Sequence, residues 1–288
     1  MASMRDIKRR KSSIQGTQQI TKAMKLVSTV KLQRAKAEAE SSKAYFDCMY
    51  ETVNHILSRV GNLEHRYLTP GKARKKAVIV ITSNRGLAGG YNSSVVKLVT
   101  QNSEWTPEEI KIYAIGNKGR DALQRGGYHV EALDSRIMEE PAYGDAMKLA
   151  GRLLEEFSKE EIGEIYLAYT SFKNTVSHEP VLRRLLPVER NLDARSRVES
   201  KDPLMNFEPR ESQALDLIIP KYVTSLIYGA LVEAAASENG ARMQAMDNAT
   251  NNAEDMINDL AIKYNRARQG SITQELTEII GGAEALQI

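Results

Sequence analysis

Cysteine, proline and long apolar runs are scarce in this chain, and each shortage excludes a class of protein. One of the 288 residues is a cysteine, Cys48, so the chain cannot form an internal disulfide, and a reducing compartment is favoured. No run of 18 consecutive apolar residues occurs, and we therefore expect no transmembrane helix. The basic residues 1–13 have no apolar segment of the kind a secretion signal carries, so we expect them to belong to the mature protein.

The absence of proline from both ends of the chain predicts two long helices. Residues 1–60 contain no proline and one glycine, and residues 221–280 contain no proline and three glycines. About 60 helical residues extend over roughly 90 Å, and a helix of that length needs a partner. The two segments match in length, so we predict that they pair as an antiparallel coiled coil with the rest of the chain inserted between them.

Charge is distributed unevenly although the net charge is only +3. Residues 1–40 hold ten Lys and Arg against three Asp and Glu, whereas residues 221–288 hold five against nine. The ends therefore carry opposite charge, and we expect this complementarity to favour one pairing register. It adds little stability, because an exposed ion pair contributes only about 0 to 1 kcal/mol.

The inner faces of the two helices are predicted from apolar and small residues three, four or seven positions apart. On the first helix these are Ile7, Ile14, Thr17, Thr21, Met24, Val27, Lys31 and Ala35. On the second they are Leu226, Ile227, Ala230, Ala234, Ser237, Ala241, Ala245, Asn248 and Asn252, then Leu260, Tyr264, Ile272, Leu276, Ile279 and Ile280. Such a seam is partly polar and thin, so a partner should enclose the coil.

The middle of the chain changes to the pattern of an α/β domain. Short apolar runs predict strands at 77–82, 111–116, 128–133, 162–172 and 181–188, with helices at 93–101, 117–125 and 145–157. This alternation predicts a Rossmann-like, mostly parallel sheet. The fold class is thus α/β plus a long antiparallel coiled coil. The predicted divisions are 1–60 (N-terminal helix), 61–76 (linker), 77–190 (α/β domain), 191–208 (connection and foot) and 209–288 (C-terminal helix), with Pro209 opening the last helix and Pro220 kinking or restarting it.

No pattern of catalytic or metal-binding residues emerges. The glycine-rich segment Gly86–Gly90 lies between a strand and a helix, where open sheets bind ligands, but its spacing matches neither dinucleotide nor P-loop motifs. We interpret it as a structural loop, with a nucleotide site in an α/β enzyme and a protein contact left open. A second alternative is a coiled-coil scaffold that binds nucleic acid through the basic cluster of residues 5–11. The four histidines have no metal-ligand spacing.

Four stretches resemble one family, the gamma subunit of F-type ATP synthases. Residues 14–27 are similar to its N-terminal helix, residues 237–250 and 265–280 to its C-terminal helix, and residues 81–92 to its middle-domain motif. The resemblance implies a non-catalytic rotor with no cofactor. Its coiled coil would stand inside a ring of alpha and beta subunits, and its α/β domain would lie beside the epsilon subunit and the membrane c-ring.

The resemblance also implies contact residues, a mechanism and a location. Contacts with the alpha and beta ring are implied for Met24, Lys25, Arg242, Gln269, Thr273, Glu275, Leu276, Ile279 and Ile280, with Leu286 in the same apolar tip. Contacts with epsilon and the c-ring are implied for Leu204, Phe207 and Glu208. One copy per complex would couple proton-driven rotation to ATP synthesis, as a peripheral protein on the cytoplasmic face of the bacterial inner membrane.

Overall fold

The computed structural model describes residues 4–59, 65–175, 177–188 and 211–285. Six helices and five strands are assigned within these ranges. The helices are α1 (Met4–Arg59), α2 (Tyr91–Thr100), α3 (Asn117–Arg125), α4 (Arg136–Glu139), α5 (Tyr143–Ser158) and α6 (Glu211–Ala285). The strands are β1 (Lys76–Ile81), β2 (Ile110–Ile115), β3 (His129–Ala132), β4 (Glu164–Phe172) and β5 (His178–Leu186).

The chain divides into two compact units, and α1 and α6 contribute to both. One unit, which we call the coil unit, combines Met1–Ser28 with Met243–Ile288. The other, the sheet unit, is Thr29–Arg242. The first part of α1 and the last part of α6 therefore form one structure, and the remaining parts of both helices pack with the sheet.

The sheet confirms the predicted α/β architecture. Its strand order is β3-β2-β1-β4-β5, and every neighbouring pair is parallel except β4 and β5. Residues 173–177 connect β4 to β5, and a link this short can only return the chain antiparallel, because a parallel crossover needs a dozen residues or more. Pro180 lies in β5, where an edge strand tolerates the missing amide hydrogen.

Both faces of the sheet are covered, which explains the continuous apolar run of β1. Ala77, Ile79 and Ile81 belong to a core shared with α5, α6 and the end of α1. Val78 and Val80 belong to a second core with α2 and α3, which includes the single tryptophan, Trp105. A strand buried on both faces has no polar alternation, so the predicted interpretation of this run was correct.

The carboxyl ends of β1 and β2 approach each other very closely. Gly116 has a φ of +95°, and a Cβ built on it would lie 2.0 Å from the carbonyl oxygen of Thr82. A Cβ on Gly119 would lie 2.6 Å from the Thr82 hydroxyl, which accepts a hydrogen bond from the Gly119 amide at 2.9 Å. The Thr82 side chain therefore fills the space between the carboxyl ends of β1 and β2.

The terminal helices run antiparallel in each unit, as predicted. In the coil unit Thr21 pairs with Thr250 at 2.8 Å and Lys25 with Asp247 at 2.6 Å, so the α6 number falls as the α1 number rises. In the sheet unit the Tyr228 hydroxyl donates to Glu38 at 2.9 Å. The fold class is thereby confirmed: a mostly parallel sheet together with long N- and C-terminal helices that pair antiparallel.

The seam predicted within the coil was partly wrong, displaced by one residue at several positions. Val27 is 58% exposed whereas Ser28 is 2% exposed, and Thr17, Lys31, Asn248 and Asn252 are also exposed. The less exposed residues recur at steps of three and four on both helices, the heptad pattern of a left-handed coil. The repeat consists of Met4, Ile7, Lys11, Ile14, Gln18, Thr21, Lys25 and Ser28 on α1, and of Met246, Thr250, Ala253, Ile257, Leu260, Tyr264, Ala267 and Ser271 on α6, while the predicted Met24 and Ala245 are partly buried beside it. Regular spacing, and not side-chain size, determines which residues lie between the helices.

Three features of the helices were not foreseen from the sequence. α6 continues through Pro220 without interruption, because buried neighbours such as Ile219 and Val223 pack that part of the helix into the core. The short helix α4 was not predicted. Within Ser212–Ala283, α6 also contains a window whose mean hydropathy of 1.4 would suit a membrane span by length and composition. Half of that window is buried within the protein, as in the core helix of a folded domain.

Glu156, on α5, is the centre of a cluster of charged and polar side chains beside the sheet. Its carboxylate accepts hydrogen bonds from Tyr113 at 2.5 Å, Lys111 at 2.9 Å and Arg152 at 3.2 Å, and Arg152 also pairs with Glu131. Burial alone would raise the pKa of Glu156, but the three donors together outweigh burial and lower that pKa below its ordinary value of 4.5. The ionised carboxylate is therefore stabilised in the folded protein.

We expect Gly116→Ala to destabilise the sheet unit far more than Gly127→Ala. Both glycines have positive φ, +95° and +82°, but a Cβ on Gly127 would meet no atom within 4 Å. The Gly127 variant should cost about 1 kcal/mol from backbone strain alone, and the Gly116 variant at least about 3 kcal/mol. Urea unfolding followed by the fluorescence of Trp105 measures both. Equal losses would contradict the close approach to Thr82.

We expect Glu156→Gln to lower the free energy of unfolding by about 2 kcal/mol at neutral pH, since three donors lose a charged acceptor. A lowered folded pKa gives stability that is present above the unfolded value and is lost as the pH falls through the folded value. The difference between wild type and variant should therefore shrink below about pH 4.5. The same fluorescence measurement at a series of pH values tests this, and a difference independent of pH would contradict it.

Candidate partner-contact sites

Arg242, on α6, forms the most enclosed charged contact among the predicted site residues. Its Nη1 donates to Glu238 Oε1 at 2.6 Å, one helical turn earlier. Its Nη2 lies 3.4 Å from the carbonyl oxygen of Arg85 and 3.3 Å from that of Gly86. The two side chains of the pair are only 13% and 12% exposed. One guanidinium therefore joins a buried carboxylate to the glycine-rich segment after β1.

Burial imposes a desolvation cost on the ion pair of Arg242 and Glu238. It raises the pKa of Glu238 above its ordinary value, against the attraction of Arg242 and, more weakly, Lys31, while Glu139 adds to the rise. A buried ion pair often stabilises a fold no better than apolar side chains of the same size, but removal of one partner leaves an uncompensated charge. The pair is therefore better explained by the geometry that it imposes than by stability.

The segment Ser83–Asn92, which we call the glycine loop, is held by its own side chains. The Ser83 amide donates to Asn92 Oδ1 at 2.9 Å, and the Ser83 hydroxyl donates to the Arg85 carbonyl at 2.6 Å. The buried Tyr91 hydroxyl donates to the Ala234 carbonyl of α6 at 3.2 Å, and burial raises its pKa well above the ordinary value. Tyr91 therefore remains a neutral donor that attaches the loop to α6.

Leu87 at the tip of the glycine loop adopts a conformation unusual for its residue type. Its φ is +66°, in a region that L-residues other than glycine, asparagine and aspartate rarely enter. Its side chain is 63% exposed. Neither burial nor residue type favours this conformation, so the surrounding contacts must hold the backbone in it.

The described hydrogen bonds of the glycine loop involve two of its carbonyls and the amides near the start of α2. The carbonyls of Arg85 and Gly86 face the Arg242 guanidinium, the Tyr91 amide donates to Ala88, and the Ser94 amide donates to Gly90. These contacts attach the loop to α2 and to α6, as expected of a structural loop.

Met24 and Lys25 lie in the coil unit, Lys25 within the seam and Met24 beside it. The Lys25 ammonium is 2.6 Å from Asp247 Oδ1, with both side chains more than one-third exposed. Met24 is partly buried, and its carbonyl accepts from the Ser28 hydroxyl at 2.8 Å. An exposed pair of this kind contributes about 0 to 1 kcal/mol and is screened by salt. Lys25 and Asp247 therefore favour one register more than they hold the helices together.

The remaining residues near the end of α6 interact mainly along the helix. The Thr273 hydroxyl donates to the Gln269 carbonyl at 2.9 Å, and the Ser271 hydroxyl lies 3.4 Å from Glu275. The apolar residues beyond them project into solvent: Leu276 is 54% exposed, Ile279 67% and Ile280 59%. Leu204, Phe207, Glu208 and Leu286 fall outside the described residues.

Sequence reasoning missed Glu238, Asp247 and Leu87. The first had a signal, because Glu238 and Arg242 are spaced i, i+4, where side chains on a helix meet. Asp247 could only be found by the register of the coil, which the predicted seam misplaced. The backbone strain at Leu87 has no sequence signal, since leucine ordinarily avoids positive φ.

Comparison with known proteins gives concordant matches over almost the whole chain. A family model described as ATP synthase matches residues 3–286. The chain is 63% identical to the ATP synthase gamma chain of Lachnoclostridium phytofermentans, over 99% of this chain and all of that one. It is 37% identical to the gamma chain of Acetobacterium woodii, described as sodium ion specific, over 99% of both. The fold matches a chain in the Euglena gracilis mitochondrial ATP synthase structure with a TM-score of 0.69 at 18% identity, covering 98% of this chain and 94% of that one.

We expect Lys25→Glu to loosen the coil unit, because it places two carboxylates opposite each other. The loss should be about 1 kcal/mol at low salt and smaller at high salt. The swap of Lys25→Glu with Asp247→Lys should restore the wild-type value, whereas Lys22→Glu on the exposed side of α1 should have little effect. Amide hydrogen exchange of residues 243–253 measures this, and a swap no better than the single change would exclude the pair as a determinant of register.

Proposed function

The chain belongs to the ATP synthase gamma chain family, and from that premise we propose that it is the non-catalytic rotor of the central stalk. In this role it couples rotation of a membrane c-ring to conformational change in the catalytic beta subunits. It contributes no active site of its own and uses no cofactor. ATP synthesis is coupled to ion transport by the whole complex, in which the chain is present once.

The apolar end of α6 is the observation that supports this proposal most directly. Leu276, Ile279 and Ile280 are all more than half exposed, and described residues 272–283 contain no buried side chain. A helix that exposes large apolar side chains over three turns favours an enclosing partner. A ring of alpha and beta subunits around the helix would remove this surface from water and act as a bearing.

The proposed mechanism depends on the asymmetry of the coil. A single pair of helices presents a different face to each of the catalytic subunits around it, so it stabilises open or closed states unequally. A change from 1:99 to 99:1 in such an equilibrium requires about 5.5 kcal/mol of differential contact energy. A few charged and apolar contacts can supply that amount. Rotation of the coil then transfers the preference from one subunit to the next.

The proposed contacts fall into two groups. Met24, Lys25, Gln269, Thr273, Glu275, Leu276, Ile279 and Ile280 contact the alpha and beta ring, and Arg242 contributes to coupling from α6. Leu204, Phe207 and Glu208 contact epsilon and the c-ring. The exposure of the first-group residues from Gln269 onwards supports these roles, whereas Met24 and Lys25 are partly buried at the coil seam.

We further propose a proton as the coupling ion and the cytoplasmic face of the bacterial inner membrane as the location. The resemblance supports both, and the single cysteine suits a reducing compartment. One relative is described as sodium ion specific. Transport by the complex should therefore be measured with a protonophore and with a sodium ionophore in turn, and abolition by the sodium ionophore alone would exclude the proton.

Co-purification and coupling together test the rotor. The tagged chain should isolate a complex with three copies each of two larger nucleotide-binding subunits. Replacement of Leu276, Ile279 and Ile280 by serine keeps the helix length but removes its apolar surface. Deletion of residues 279–288 shortens the helix and also removes the apolar surface of Ile279 and Ile280. Each change should reduce ATP-driven ion transport more than ATP hydrolysis, because the residues form a bearing and no catalytic group.

Two results would contradict this proposal. One is a chain that isolates no such complex. The other is complete loss of hydrolysis in a complex that still contains all subunits, since that would assign these residues to the chemistry. As a control, Met256→Ser removes one exposed apolar residue of α6 away from its end and should leave coupling nearly unchanged.

A further inference from the structure

We propose that Arg242 and Glu238 are positioning residues that act on coupling through the glycine loop and not by direct contact with a neighbouring subunit. The pair fixes the loop so that Leu87 is presented at one place on the sheet unit. This inference rests on the proposed rotor function and assigns a route by which Arg242 contributes to it.

The hydrogen bonds of Arg242 are directed into its own chain. Nη1 is engaged by Glu238 at 2.6 Å, and Nη2 lies between the carbonyl oxygens of Arg85 and Gly86 at 3.4 and 3.3 Å. The guanidinium suits this arrangement because it offers several donors in a rigid plane, which the single ammonium of lysine cannot do. With most of the side chain buried, little of it remains for a partner subunit.

The loop is fixed from both ends as well as by Arg242. Asn92 and Ser83 bond to each other through both side chains, with Asn92 Nδ2 donating to Ser83 Oγ at 2.7 Å. Asn84 Nδ2 donates to the Ser135 carbonyl at 2.8 Å, and the Asn117 amide lies 3.4 Å from Asn84 Oδ1. A positive φ at Leu87 persists where the surroundings determine the backbone to this degree. Arg242 is the contact that ties this loop through a side-chain charge to α6.

The exposed Leu87 side chain is the part of the rigid glycine loop that is available to a neighbouring subunit. Inside the chain an exposed leucine contributes little to folding, whereas at a contact a preorganised apolar side chain binds without further ordering cost. Replacement of Arg242 would leave the Leu87 side chain unchanged, but the loop that carries it would no longer be fixed in one place. The effect on coupling should then resemble the loss of Leu87 itself.

The test combines two measurements on the assembled complex. Amide hydrogen exchange of residues 85–90 should become about tenfold faster in Arg242→Gln, since charge-assisted hydrogen bonds to the loop are lost. Glu238→Gln retains an oxygen acceptor and should give a smaller change, and Arg242→Lys should lie between Gln and wild type. Lys159→Gln breaks an exposed i, i+4 pair with Glu155 on α5 and should leave the loop unchanged.

The second measurement is the ratio of ions transported to ATP hydrolysed. Arg242→Gln and Leu87→Ala should each lower it, and the double variant should be no worse than the more affected single variant, because both act through one loop. Additive losses, or unchanged loop exchange in Arg242→Gln, would overturn the proposal and make Arg242 a direct contact. Loop exchange is measured without reference to transport. If the wild-type complex shows no coupled transport but Arg242→Gln still accelerates loop exchange, the result contradicts the rotor and not the positioning role.

Discussion

The pairing of α1 with α6 is the constraint on which the rest of the structure depends. In the coil unit the interface repeats every seven residues, but it contains Thr21, Ser28, Thr250 and Ala253 where strong coiled coils place leucine and isoleucine. Hydroxyl and small side chains allow close approach and specify register, yet they bury little apolar surface. The same two helices gain their large apolar contacts in the sheet unit, where residues such as Ile227 and Leu231 are fully buried.

The success of sequence reasoning varied with the physical origin of each signal. The continuous apolar run of β1 predicted a doubly buried strand correctly, because few other structures bury every side chain in succession. The coil seam was harder, since Val27 is larger than Ser28 but lies outside the interface. Where a seam position holds a small polar residue, as at Ser28, side-chain size does not identify it, and the heptad spacing does.

The candidate sites divide in the same way. Lys25 and Arg242 came from resemblance, but their partners Asp247 and Glu238 follow from register and from helical spacing. The attachment of the glycine loop to α6 could not be predicted, because it joins backbone carbonyls to a side chain more than 150 positions away, at sequence separations of 157 and 156. Long-range contacts of backbone groups leave no residue pattern. The strain at Leu87 likewise depends on its surroundings and not on its residue type.

The close approach of Thr82 to Gly116 and Gly119 has a consequence for which substitutions can compensate one another. At Gly119 the obstacle to a Cβ is the Thr82 side chain, whose hydroxyl and methyl would lie 2.6 and 2.7 Å away. At Gly116 the obstacle is the carbonyl oxygen of Thr82, only 2.0 Å from the Cβ position. A smaller residue at position 82 would therefore make room for a side chain at 119 but not at 116, where the strand backbone itself would have to move.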